Sequence, residues 1–163
     1  PVPFASINYS GMLTSSVIAG DPSNPYGGLT FTYLLASDPT SVNVISRLTV
    51  NGYAGFLTDA SYQVPPGGVL PAYIDRPTAD VVGFSFISFP IGSGLITPGS
   101  NSALLIVQTD APAYTTSFAS VIDGTVVSPP IFAPIPEPGT AMLVLSLLIF
   151  QLRMGRRPRR TQA

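Results

Sequence analysis

Cysteine, histidine, lysine and tryptophan are all missing from this chain of 163 residues. Without cysteine there is no disulfide, no thiolate nucleophile and no zinc-thiolate site. Without histidine the usual general base and the commonest transition-metal ligand are gone. A Ser-His-Asp triad and a Ser-Lys dyad therefore both lack their base, however many serines are present. Charge is also scarce, at 9% of residues, and unevenly placed. Before position 136 two arginines, Arg47 and Arg76, face seven aspartates, a balance of about −5 that argues against binding nucleic acid phosphates. The remaining five arginines crowd into positions 153–160.

What the chain does have is strand grammar. From Ile7 to about Val127, short runs rich in β-branched and aromatic residues alternate with Gly, Pro, Asn and Asp. Leu29, Phe31, Tyr33 and Leu35 share one face at period two, with Thr30 and Thr32 on the other. Val42, Val44, Leu48 and Val50 share a parity with Arg47 opposite, and Val82, Phe84 and Phe86 repeat the theme before Ile87 and Phe89 switch parity as at a bulge. Residues 103–107 are apolar without alternation, which predicts a central strand covered on both sides. Tyr114, Thr116, Phe118, Ser120 and Ile122 form a further alternating set. Turn signals such as Asp21-Pro22, Asn51-Gly52 and Asp123-Gly124 separate these runs. No helical stripe precedes residue 139. The prediction is an all-β fold, one antiparallel β-sandwich of seven to nine strands over residues 1–127, with jelly-roll and immunoglobulin-like topologies both open.

Residues 128–138, Ser128-Pro129-Pro130-Ile131-Phe132-Ala133-Pro134-Ile135-Pro136-Glu137-Pro138, are dense in proline and predict an extended linker. The apolar run that follows, Ala141, Met142, Leu143, Val144, Leu145, Ser146, Leu147, Leu148, Ile149 and Phe150, has no polar stripe. As a helix from Gly139 to Leu152 it would span roughly 21 Å, short of a bilayer core of roughly 30 Å. Arg153, Arg156, Arg157, Arg159 and Arg160 stand directly behind it, where they would resist translocation and remain cytoplasmic. Residues 139–163 thus predict one C-terminal transmembrane helix with a basic stop, held by local bilayer thinning.

The order Pro136-Glu137-Pro138-Gly139-Thr140, apolar run, arginine cluster closely resembles the PEP-CTERM sorting signal of Gram-negative bacteria, the proposed substrate tag of exosortases. The resemblance covers about the last 28 residues and has one departure: the apolar run is richer in Leu, Ile and Met than the Gly/Ala/Leu-rich helices usual there. It implies a protein exported across the inner membrane, held as a single-pass intermediate with a cytoplasmic C terminus, and cut near Pro-Glu-Pro by a membrane transpeptidase. It also implies release to the cell surface or an exopolysaccharide or biofilm matrix. Pro136, Glu137, Pro138, Gly139 and Thr140 would be recognised elements, the prolines fixing an extended backbone and the carboxylate offering a charge. That the chain starts at Pro1 without Met fits the removal of a signal peptide, and fits a truncated record equally.

For the body, the expectation is a structural or adhesive module and no enzyme, with no cofactor and no metal. Asp21, Ser23 and Asn24 carry oxygens in one loop and Asp75 and Asp80 in another, but neither makes an EF-hand, and turns capped by Asx side chains account for both better. Tyr26, Tyr53, Tyr62, Tyr73 and Tyr114 could stack on sugar rings, which keeps a carbohydrate-binding module as the alternative. Asp59, Asp75, Asp80 and Asp110 leave carboxylate-dependent glycan processing as a third reading. The Asn8-Tyr9-Ser10 sequon reads as accidental.

Overall fold

The computed structural model describes residues 1–63, 68–87 and 94–135. The sorting motif, the apolar run and the arginine cluster all lie outside the described residues, as does Phe89 of the expected bulge. The described residues form eleven strands: β1 (Val2–Ala5), β2 (Ser10–Ile18), β3 (Thr30–Ser37), β4 (Arg47–Asn51), β5 (Thr58–Gln63), β6 (Tyr73–Thr78), β7 (Val81–Ser85), β8 (Leu104–Thr109), β9 (Tyr114–Asp123), β10 (Thr125–Val127) and β11 (Pro130–Pro134). One sheet runs β1-β2-β3-β8-β5 and the other β10-β9-β4-β7-β6, with β11 also on β9. Every strand pair is antiparallel.

The core lies between the two sheets and follows the period-two pattern. Phe31, Tyr33 and Leu35 of β3, Leu105 and Val107 of β8, Leu48 and Val50 of β4, Val82 and Phe84 of β7 and Val121 of β9 are all buried in one cluster. Burying side chains of this size stabilises by about 1.5–3 kcal/mol each before entropy is counted. Phe31 and Tyr53 meet edge-on, with ring centroids 5.9 Å apart. On the outer face of β4, opposite Leu48 and Val50, Arg47 forms an ion pair with Asp75 at 2.8 Å and bonds Ser85. Gly83 makes room for it, because a Cβ there would collide with both the guanidinium and the Asp75 carboxylate.

Four expectations need correction. Among the described residues the strands within 1–127 number ten, not seven to nine, and an eleventh lies beyond them. Val42 is 79% exposed and lies in a bend before β4, so the second run begins at Arg47. β8 is central, between β3 and β5, but Leu104 and Ile106 on its outer side are only half-buried, so one face of it is covered rather than two. Most consequential, the stretch expected to be a linker enters the sheet. β10 and β11 keep a single register against β9, from Thr125↔Asp123 to Val127↔Val121 and on from Pro130↔Phe118 to Pro134↔Tyr114. They are one strand interrupted at Ser128-Pro129. The turn between them and β9 uses Gly124 at φ 65°.

The prolines are tolerated because of where their missing N–H groups would point. The amides of Ala119 and Ile135 bond across the β9 hairpin to Pro129 and Ala113, so odd-numbered residues of this strand face β9 and even-numbered ones face away. Pro130 and Pro134 sit at away-facing positions, where no ladder bond is lost. Pro129 sits at a ladder position, and there the strand breaks.

Candidate functional site

β9 is longer than its neighbour. Its second half pairs with β4, while Tyr114 to Phe118 run past β4 and pair only with β11. The inward-facing odd positions are therefore covered at one end and not at the other, where Thr115 is exposed and Ser117 half-buried. Ala119 and Val121 are buried, and the set Tyr114, Thr116, Phe118 faces outward. Tyr114 is 50% exposed, Phe118 57% and, across the hairpin, Phe132 38%. Tyr114 and Phe132 pack edge-on with centroids 5.4 Å apart. Beside them, Pro1, Val2, Ser15, Thr116, Pro130, Ile131 and Phe132 line a groove of about 260 Å³. The result is an apolar surface lined by no charged side chain, with hydroxyls at its margin, suited to a flat ligand.

The hairpin is held from behind by tyrosine hydroxyls of the opposite sheet. Tyr33 Oη donates to the Phe132 carbonyl at 2.7 Å. Its one proton being spent there, the 2.6 Å contact with Tyr53 must have Tyr53 Oη donating to Tyr33. Burial pushes the ionisation of both phenols well above its usual value, so each remains a neutral donor. The N–H of Phe132 bonds Ser15 Oγ at 3.3 Å, so both away-facing backbone groups of this residue are satisfied by side chains. A second contact of the same kind is made by Tyr9 Oη, whose one proton is shared between the carbonyls of Val121 and Thr125 at 2.9 and 3.0 Å.

The residues singled out in the sequence scatter over the molecule. Of the five tyrosines, Tyr53 is fully buried, while Tyr26, Tyr62, Tyr73 and Tyr114 are exposed, on the β2–β3 loop, β5, β6 and β9 respectively. Of the four exposed ones, only Tyr114 packs against another ring among the described residues. Phe118 and Phe132 were missed as surface residues, although the alternation of Tyr114, Thr116 and Phe118 already placed three of these side chains on one face.

In the first oxygen-rich loop, Asp21 accepts from the hydroxyl and amide of Ser23, from Thr30 Oγ1 at 2.8 Å and from Gln108 Nε2. These bonds, Ser23 foremost, lower its pKa to about 2. The Asn24 amide closes the loop onto the Gly28 and Thr109 carbonyls. Asp75 and Asp80 are not brought to a common partner: Asp75 holds Arg47, and Asp80 Oδ1 accepts from the amides of Gly52 and Ala54. Asp110 caps the Leu57 amide, and Asp59 is exposed on β5. Arg76 is spent on the carbonyls of Tyr53 and Ala79.

Comparison with known protein families, curated proteins and solved structures gives no match in any of the three.

Proposed function

We propose that this chain is an exported surface or matrix protein bearing an exosortase-type sorting signal, and that its β-domain is a non-enzymatic structural or adhesive module. One observation carries the reading: the order of Pro136-Glu137-Pro138, apolar run and arginine cluster at the C terminus. Each part has a physical task, as an extended recognition element, a transient membrane stop and a cytoplasmic brake. The body suits such a role, since Asp21, Asp75, Asp80, Asp110, Arg47 and Arg76 are all engaged within the fold. Of the two topologies open from sequence, the strand order is nearer the immunoglobulin-like one. β2-β3-β8-β5 and β10-β9-β4 occupy the places of its two sheets, with β5 preceding the β6–β7 hairpin as the departure. Mass spectrometry of the mature C terminus, in cells with and without the sorting enzyme, tests the proposal. A truncated end near Pro138 that needs the enzyme supports it, and an intact end at Ala163 in both overturns it.

The exposed aromatic face of the β9–β11 hairpin favours a second reading, recognition of a neutral glycan. Rings at Tyr114, Phe118 and Phe132 would stack on pyranose faces while Thr116 and Ser15 offer hydroxyls. Binding on a glycan array that disappears in Tyr114→Ala and Phe118→Ala would establish it. Glycan turnover abolished by a single Asp→Asn change at Asp59, Asp75, Asp80 or Asp110 would instead make the protein an enzyme.

A further inference from the structure

An edge strand offers unpaired N–H and C=O groups to any other chain, and proteins that remain monomeric blunt such edges with proline, bulges or covering side chains. Among the described residues, three of the four sheet margins are blunted, each leaving at most one residue with an open N–H in a row. On β1, the ladder places residues 2 and 4 toward β2, so the outward-facing positions are Pro3, which has no N–H to offer, and Ala5 at the strand's last residue, leaving a single open N–H. β6 contains Pro77 and a register shift between Asp75 and Thr78. On β11, Pro130 and Pro134 take two away-facing positions and Ser15 and Tyr33 cover the third, at Phe132.

β5 differs. It pairs with β8 through six consecutive residues, Thr58↔Thr109 to Gln63↔Leu104, with no proline and no bulge. The Thr109 amide bonds Leu29 on β3, so the even residues of β8 turn to β5 and bond Asp59, Ser61 and Gln63. The backbone groups of Thr58, Ala60 and Tyr62 therefore face the open margin and have no partner among the described residues. The side chains of these three point inward, and beside them Thr58, Ala60, Ile74, Asp75, Arg76 and Val82 line a groove of about 220 Å³ between β5 and β6. Tyr62 stands 40% exposed at its end.

We propose that β5 is the self-association edge of this protein, pairing antiparallel with β5 of a second copy across a two-fold axis at Ala60. Charge and hydrogen bonding select that register. With Ala60 opposite Ala60, Thr58 faces Tyr62 in both directions, so all three open residues of each copy are paired. On the outer face Asp59 then lies opposite Ser61 of the second copy, an acceptor against a donor. A shift of two residues one way sets Asp59 against Asp59, and the other way keeps only Ala60 and Tyr62 paired among the described open residues, with Thr58 opposite residue 64 outside them. On the inner face Tyr62 of the second copy falls opposite Thr58, at the mouth of the groove, where its ring is covered. The pairing is independent of how the C terminus is processed.

The test is sedimentation of the full 163-residue chain in detergent solution, as wild type, Ala60→Pro and Ser61→Asp. Ala60→Pro removes an N–H that the fold does not use, and Ser61→Asp places a carboxylate against Asp59 of the other copy without altering a buried group. A dimer in the wild type whose dissociation constant rises at least about tenfold in Ser61→Asp, and which is lost in Ala60→Pro, supports the assignment. Because the chain has no cysteine, Ala60→Cys adds a check of register. Opposed Cα atoms about 5.5 Å apart allow a disulfide, so a covalent dimer under air oxidation is expected. A wild type that is monomeric at all concentrations, or a dimer indifferent to Ser61→Asp, overturns it.

Discussion

The β5 margin of the first sheet and the β11 margin of the second solve the same problem in opposite ways. At the β11 margin every away-facing backbone group at Phe132 is taken by a side chain, from Ser15 and from Tyr33, and the flanking positions are proline. At the β5 margin the corresponding groups of Thr58, Ala60 and Tyr62 are left open. Tyrosine marks both, yet in different states: Tyr33 is wholly buried with its hydroxyl committed, and Tyr62 is exposed. The contrast teaches that a residue type does not define its role at an edge. What matters is whether its hydroxyl reaches back to a neighbouring backbone or its ring is left for another surface.

The sharpest way to break the comparison is Tyr33→Phe. It leaves the Tyr53 hydroxyl without its acceptor and the Phe132 carbonyl without its donor, and should cost about 2–3 kcal/mol in denaturant unfolding. Tyr62→Phe, at the open margin, should stay within about 0.5 kcal/mol of the wild type. If the two cost the same, the sealed margin is not sealed by Tyr33. Next in size is Tyr9→Phe, which frees the Val121 and Thr125 carbonyls at the far end of the same hairpin. A loss of about 1–2 kcal/mol is expected, with amide exchange accelerated in β10 more than in β5.

The smallest effect concerns acid. The phenols of Tyr33 and Tyr53 have raised pKa values, so their contribution is complete below the ordinary tyrosine value and is lost only as pH rises above about 10. The hairpin latches are thus indifferent to acid. Asp21 has its pKa lowered to about 2 by Ser23, Thr30 and Gln108, against an ordinary value of 3.8. Its contribution is present above pH 3.8 and falls away as pH drops through about 2. Thermal melts of wild type and Asp21→Asn should differ at neutral pH and converge through that window. A constant difference down to pH 2 would show that the ionised carboxylate is not what holds the β2–β3 loop.

Much of the core was legible in the chain itself. The alternation of Phe31, Tyr33 and Leu35 and of Val82, Phe84 and Phe86 is a direct image of sheet pleating, and Arg47 among valines announced an outer face. The Asx turn at Asp21 followed from its residue types. The β11 strand did not, because proline content is a property of composition, while tolerance of proline depends on which way an N–H points, and that is known only from the register. The aromatic face at Tyr114 was seen as a periodic set, but periodicity says only that one face differs from the other. That it is the outer face follows from the burial of Ala119 and Val121 at the opposite parity. The carboxylates at Asp75 and Asp80 are close in sequence, yet a register shift and a turn send them to Arg47 and to the Gly52 loop.

The unbroken register of β10 and β11 against β9 also has a mechanical meaning. If the protein is tethered through its C terminus, tension enters the described domain at Ile135 and runs straight into β11. Pulling along that strand loads the β9 ladder and the Tyr33 and Tyr9 bonds together, in shear, rather than peeling them one at a time. A domain joined to a tether in this way would yield only when many bonds fail at once.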